Sequence, residues 1–457
     1  MVRGGPGSGK TILGMHFLSW AACRGERALL ITFGESEAQL RRNADRMGFD
    51  CEGISFLDLS PDSSYFAQSQ EYDIFPPSEV ERAPVTARIR DEVSAQKPAR
   101  VFVDGLTQLR HLTASPFQFR KESLAFLRFL NEIGATVLFS SESNETPDED
   151  LQFIADSVIE LEFRDTRRNV AVTKFRGSDF RAGRHTLRLS DRGMAVFPRL
   201  LPEEFALEFE PERIPFGVRE MDQLTGGGLE RGAISIITGA SGVGKTTLGM
   251  QFVSEAARRG ERSVVYIFEE PRESLIRRCA QIGIPVREMV DDGRLSLVHV
   301  EPLRFTADEF ALMVREEVEQ RGTRIVMIDS VSGYSLSLHD EDLVAHLHGL
   351  AKYLQNMGVA VLLINEVEAV IGDFRITDVG VSYMADNIIF LRYLELRGGI
   401  IKAIGVLKKR MGDFEKTLRE ITITRQGIHL GPVLSGLRGI LRGTPVWDRE
   451  PSGKDSD

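Results

Sequence analysis

The strongest constraint on this chain is that it repeats itself. Residues 4–48 and 239–283 align without a gap at an offset of 235, with 21 of 45 positions identical. Further along, Arg100 to Asp104 matches Arg324 to Asp329, and Lys174-Phe175-Arg176-Gly177 answers Lys408-Lys409-Arg410-Met411-Gly412. A period of 235 residues marks a duplicated domain rather than a solenoid unit. The halves join near Pro198 to Glu212, where prolines and glutamates interrupt the pattern. We expect a first domain over 1–200, a second over 201–445, and a disordered polar tail over 446–457. The second copy has a preamble, from Ile214-Pro215-Phe216-Gly217 to Leu229, before its apolar run Ile234 to Ile237; the first starts almost on its glycine loop. The strand expected ahead of that loop is therefore absent or shortened to Met1-Val2-Arg3, and a start codon assigned too late is the favoured explanation.

Within each copy, strand-length apolar runs alternate with helical stretches. Leu248 to Arg259 carries Leu248, Phe252 and Ala256 at helical spacing and stops at Gly260. Ser263 to Phe268, Ile325 to Ile328 and Val359 to Ile364 are nearly continuous apolar runs, as strands buried on both faces require. The expected class is α/β: two tandem domains, each a mostly parallel sheet with helices on both faces. Such sheets bind ligands at the carboxyl ends of their strands.

Both copies carry GxxxxGK[ST] at that edge, as Gly4 to Thr11 and as Gly239 to Thr246. Gly4, Gly7 and Gly9, like Gly239, Gly242 and Gly244, let backbone N–H groups turn inward around a phosphate, with the next helix offering its positive end. Lys10 and Lys245 would reach the β- and γ-phosphates, Thr11 and Thr246 would ligate Mg2+, and Thr247 extends the cradle. The cofactors implied are ATP and Mg2+. Asp104 and Asp329 each close an apolar strand and suit the second metal position. Glu269-Glu270 also closes a strand; adjacent carboxylates there suit a base that orients water. The first copy reads Gly34-Glu35, leaving Glu35 as its single candidate. Lys174 and Arg176, and Lys408 and Arg410, recur late in each copy before a glycine, and fit an arginine finger aimed at a neighbour's phosphates. Asn365, ending Val361 to Ile364, is a candidate γ-phosphate sensor or a plain turn residue.

Composition excludes several classes. The 57 Lys+Arg against 67 Asp+Glu give a net charge of −10, which lacks the broad positive field of nonspecific nucleic-acid binding. Cys23, Cys51 and Cys279 show no CxxC spacing, so neither a disulfide framework nor a zinc site is supported. No apolar run reaches membrane-spanning length and no leader is evident. We expect a reduced, cytoplasmic, soluble protein without nucleic-acid or membrane partners.

The duplicated P-loops, the Glu-Glu strand end, Ile376-Thr377-Asp378 before Asp386-Asn387-Ile388-Ile389, Glu395-Leu396-Arg397-Gly398 and the Lys-x-Arg element at Lys408 to Arg410 resemble KaiC, the hexameric circadian-clock ATPase of the RecA/DnaB superfamily. The resemblance spans Gly4 to about Pro445. It implies two tandem RecA-like P-loop domains, ATP bound between subunits of a homo-oligomeric ring, slow hydrolysis in the first domain, and autokinase and autophosphatase chemistry in the second. The family's adjacent phosphoacceptors fall on Ser382 and Tyr383, with serine kept and tyrosine in place of threonine. Two other readings stand beside this one: a nucleotide-gated scaffold with little turnover, and a RecA/DnaB-like DNA-dependent ATPase.

Overall fold

A computed structural model describes residues 1–60, 82–112, 116–142, 149–164, 166–301, 304–336, 343–367, 381–396, 398–435, 437–438 and 446–447. The chain divides into two compact units, Met1–Arg199 and Leu200–Asp457. No described helix is long and apolar enough to cross a membrane.

The strands of the first unit are β1 (Val2–Gly4), β2 (Ala28–Thr32), β3 (Ile54–Asp58), β4 (Arg100–Asp104), β5 (Thr136–Glu142), β6 (Ser157–Arg164), β7 (Arg167–Phe175), β8 (His185–Ser190) and β9 (Gly193–Phe197). They form one sheet in the order β3-β2-β4-β5-β1-β6-β7-β8-β9. The first five neighbour pairs are parallel, and the last three are antiparallel. The strand ahead of the glycine loop is thus present in shortened form. β1 sits between β5 and β6, with Val2 opposite both Ser140 and Ile159.

The second unit opens with a two-stranded ribbon, β10 (Arg213–Ile214) and β11 (Leu229–Glu230), built from the preamble. Its main strands are β12 (Ile234–Gly239), β13 (Ser263–Ile267), β14 (Leu295–His299), β15 (Ile325–Asp329), β16 (Ala360–Glu366), β17 (Asn387–Leu396), β18 (Gly399–Lys409), β19 (Arg419–Thr424) and β20 (Gly427–Val433). They run in the order β14-β13-β15-β16-β12-β17-β18-β19-β20, which is the order of the first sheet. The period-2 alternation of strands explains the two cores of this unit. Val265, Met327, Leu362 and Ile237 face one side with Leu248, Phe252 and Ala256 of the helix Lys245–Arg258. Val264, Tyr266, Val326, Ile328, Val361 and Leu363 face the other, against Phe310, Val314, Leu350 and Leu354. Strands covered on both faces read as continuous apolar runs, as the sequence predicts.

That topology sets the site. Gly239 at the end of β12 pairs with Glu366 at the end of β16. Asp329 at the end of β15 pairs with Ile364 and with Ile267, which lies two residues before Glu269. The carboxyl ends of four neighbouring strands therefore deliver the glycine loop and three acidic positions to one edge.

Candidate active site

In the second unit the loop geometry depends on glycine at two points. Gly244, the N-cap of the helix Lys245–Arg258, has φ 117°, which a side chain rarely tolerates. A Cβ on Gly239 would sit 2.3 Å from the Leu391 carbonyl oxygen, so the loop lies against β17 only with hydrogen at that position. Gly242 also has positive φ, 74°.

The cleft beside the loop holds about 530 Å³ and is lined in part by Lys245, Thr246, Glu269, Asp329, Glu366 and Lys402. That volume lies within the range of small-molecule sites. The buried Lys245 ammonium donates to the Ala240 carbonyl at 2.8 Å and lies 4.0 Å from Glu366 Oε2. Burial lowers its pKa, and Glu366, Asp329 and Glu269 pull it back. Thr246 Oγ1 donates to Asp329 Oδ2 at 2.7 Å. Burial pushes the Asp329 carboxyl up to about 6, while its bond from Thr246 and the charges of Arg278 and Lys245 act the other way. One hydroxyl and one carboxylate in contact suit Mg2+, which takes one or two protein oxygens and completes its shell with phosphates and water. Among the described residues no group of three His, Cys, Asp or Glu could hold a metal alone, so the donor set fits an ion that arrives with nucleotide.

The two glutamates separate in space. Glu269 Oε1 accepts from Ser330 Oγ at 3.1 Å and faces the cleft. Glu270 accepts from Arg278 Nη2 at 2.6 Å, Arg278 Nε at 3.4 Å and Ser274 Oγ at 2.9 Å. Glu270 is therefore engaged by a cation, whereas Glu269 accepts from a neutral hydroxyl. Thr247 Oγ1 accepts from Arg278 Nη1 at 3.4 Å.

The first unit repeats the frame with differences. Lys10 donates to the carbonyls of Gly4 and Gly5 at 2.7 and 3.0 Å, and burial lowers its pKa against the pull of Asp104 and Glu142. Thr11 Oγ1 donates to Asp104 Oδ2 at 2.7 Å, and Ser140 Oγ donates to Asp104 Oδ1 at 2.6 Å. Gly7 and Gly9 have positive φ, and a Cβ on Gly4 would strike the Leu161 carbonyl at 2.4 Å. Glu35 lines a cleft of about 420 Å³ with Lys10 and Thr11; burial and then Asp104 raise its pKa. Asn43 Nδ2 approaches the Glu35 carboxylate at 3.5 Å.

The late basic residues have partners inside their own units. Lys174 donates to the carbonyls of Gln152 and Ala155, both at 2.7 Å. Arg176 reaches Asp156 at 3.2 Å, and Arg410 reaches the equivalent Asp386 at 3.0 Å. Lys408 pairs with Ile388 across the β17–β18 ladder. None of the four lines its own P-loop cleft. Asn365 is not a turn residue: it lies buried within β16, donating to Thr238 Oγ1 at 3.1 Å. Three cleft residues escaped the sequence reading. Glu366 closes β16 as Asp329 closes β15, a signal that was available. Lys402 donates to the Gly242 carbonyl at 3.1 Å with burial lowering its pKa. Arg278 lies on the helix Arg272–Ala280; neither of these two had a motif. Ser382 lies half-buried in the turn Val381–Tyr383, beside exposed Tyr383. Thr377 and Asp378 lie outside the described residues.

Residues 1–200 and 214–435 match a family model described as "ATPase: KaiC". The chain is 29% identical over 464 residues to the circadian clock protein KaiC3 of Synechocystis sp., covering 98% of this chain and 90% of that protein. It is 28% identical over 472 residues to the circadian clock oscillator protein KaiC of Prochlorococcus marinus, covering 100% of this chain and 92% of that protein. Against the circadian clock oscillator protein KaiC of Synechococcus elongatus it is 27% identical over 462 residues, covering 98% and 87%.

Proposed function

The chain belongs to the KaiC ATPase family, and from that premise we propose that its second unit is the principal site of ATP hydrolysis, with Glu269 as base. The observation that carries the reading is the convergence of Lys245, Glu269, Asp329 and Glu366 on one cleft, with Thr246 and Asp329 already in contact at 2.7 Å. The glycine loop cradles the β-phosphate with N–H groups, and Lys245 offsets charge on the β- and γ-oxygens. Thr246 and Asp329 would hold Mg2+, which when bound with ATP draws off charge from the phosphate oxygens. Glu269 orients a water and takes its proton as the water oxygen bonds to the γ-phosphorus. The bond from that phosphorus to the β–γ bridging oxygen breaks, and ADP leaves with the electron pair. The products are ADP and inorganic phosphate.

In the same reading the protein works as a homo-oligomeric ring, hexameric by likeness to the family, in circadian-type timing or signalling. Lys408 and Arg410 act on a neighbour's nucleotide, as Lys174 and Arg176 do in the first unit. The Arg410 side chain is 60% exposed, which leaves its guanidinium open to solvent, while its partner Asp386 also accepts from Ile234 N and Gln355 Nε2 and keeps those bonds if Arg410 turns toward a neighbour. Ser382 is the phosphoacceptor, attacked onto the γ-phosphorus of ATP held by the adjacent subunit, with ADP again the leaving group and a carboxylate taking the serine proton. The first unit, with Gly34 and Glu35, serves chiefly to bind nucleotide and support assembly.

The test is incubation of the purified chain with γ-labelled ATP, following free phosphate and label retained on protein. Glu269→Gln should remove most phosphate release, and label should map to the peptide containing Ser382 and vanish in Ser382→Ala. Full phosphate release by Glu269→Gln refutes the base assignment, and an unlabelled Ser382 peptide refutes the autokinase part alone.

A further inference from the structure

Arg278 joins two elements of the second cleft. Its guanidinium holds Glu270, at the end of β13, through Nη2 and Nε. Its remaining arm reaches Thr247 Oγ1, in the first turn of the P-loop helix and next to the proposed metal ligand Thr246. Ser274, one turn earlier on the same helix as Arg278, adds a third bond to the Glu270 carboxylate. Arg278 and Glu270 both line the cleft with Lys245, Glu269 and Asp329.

The first unit is an internal control. At the offset of 235 residues, Arg278 becomes Asn43, Thr247 becomes Ile12 and Ser274 becomes Gln39, while Glu270 becomes Glu35. Donor and acceptor of the tie are lost together, and the Glu35 carboxylate has a 3.5 Å approach from Asn43 in place of the guanidinium. The glutamate remains and the clamp does not.

We propose that Arg278 is a positioning residue of the second unit's ATPase site, clamping Glu270 to Thr247 so that Glu269 alone is presented to the hydrolytic water. Two adjacent carboxylates repel each other and compete for the same cationic surroundings. The planar fork of Arg engages one of them in a fixed direction, which a lysine cannot reproduce. The other then stays against Ser330 and the cleft. The clamp also ties the β13 end to the helix that carries Lys245 and Thr246, so base and phosphate cradle hold one spacing. The proposal rests on the hydrolysis reading above and gives Arg278 a role exerted through Glu270 and Thr247.

The experiment measures phosphate release by the full-length chain with Mg2+ and ATP, in the parent and in Lys245→Ala, Arg278→Asn, Arg278→Lys, Glu270→Gln and the Arg278→Asn/Glu270→Gln double variant. The loss in Lys245→Ala defines the second unit's share. Within that share, Arg278→Asn should lower kcat roughly tenfold to a hundredfold, the scale of a misplaced reacting group, while KM for ATP moves less than about threefold on the same argument. Arg278→Lys should recover only part of kcat. Once Glu270 is uncharged, removing Arg278 should cost less than about twofold more, because groups that act through each other are not additive. Unchanged kcat in both Arg278 variants, or losses that multiply in full in the double variant, would overturn the clamp while leaving hydrolysis intact. A rise in KM without loss of kcat would make Arg278 a phosphate contact instead. Full turnover in Lys245→Ala would remove the hydrolysis reading itself, and the clamp with it.

Discussion

Replacing Asp329 with asparagine should stabilise the ligand-free second unit while abolishing its turnover. Burial raises the Asp329 carboxyl from an ordinary 3.8 to about 6, against the bond from Thr246 and the charges of Arg278 and Lys245. At about 1.4 kcal/mol per pH unit, that gap is worth about 3 kcal/mol. The sign follows from proton counting. Between pH 3.8 and about 6 the native state keeps a proton that the unfolded state has released, so stability falls as pH rises through this window. Above it the whole penalty is present. Asparagine keeps the shape and a hydrogen-bonding partner for Thr246 but never ionises.

The assay is calorimetric unfolding of parent and Asp329→Asn in chelator, without nucleotide, near pH 4.5 and at pH 7.5. At the higher pH the variant should gain about 3 kcal/mol, which for a unit this size raises its transition by roughly 5–10 °C. Near pH 4.5 about a third of the advantage should remain. The same variant should release no phosphate from the second unit, since a neutral amide replaces the anionic metal ligand. An equal or lower transition for the variant at pH 7.5, or a gain of the same size at both pH values, would refute the reasoning. The stability of this edge of the sheet would then not be limited by a buried charge that awaits its counter-ions.

Further outcomes test the division of labour. Lys245→Ala should remove most Mg2+-dependent phosphate release, because it deletes the charge opposite the β- and γ-phosphates, whereas Lys10→Ala should mainly weaken assembly, read by sedimentation; the opposite pattern would exchange the roles of the two units. Mixing Arg410→Ala chains with Glu269→Gln chains should restore some turnover through interfaces that combine two intact halves. No rescue at any mixing ratio would confine Arg410 to its pair with Asp386.

What the sequence revealed divides along a physical line. The P-loops were legible because backbone geometry demands glycine: at Gly239, where β17 leaves no room for a Cβ, and at Gly244, where φ is 117°. The parallel core was legible because strands buried twice over must be apolar at every position, as Ile325 to Ile328 are. The antiparallel run from β18 to β20 was less so, since its strands mix buried apolar and exposed polar residues much as loops do. Least legible were the destinations of long side chains. In the Lys-x-Arg element the sequence directs attention to Lys408 and Arg410, yet the deeply buried cation is the intervening Lys409, with a side chain 1% exposed and 2.7 Å from Glu230. Glu230 stands on the short ribbon β11, 179 positions earlier in the chain, and no local pattern announces such a pair. Arg278 presents the same difficulty. Its Glu270 partner lies one helical stretch away, but Thr247 lies 31 residues back, and only the sheet order that brings β13 to the P-loop helix makes them neighbours. A motif records what the backbone needs; where a guanidinium ends is settled by packing between segments, and it is there that the two halves of this duplicated chain have diverged.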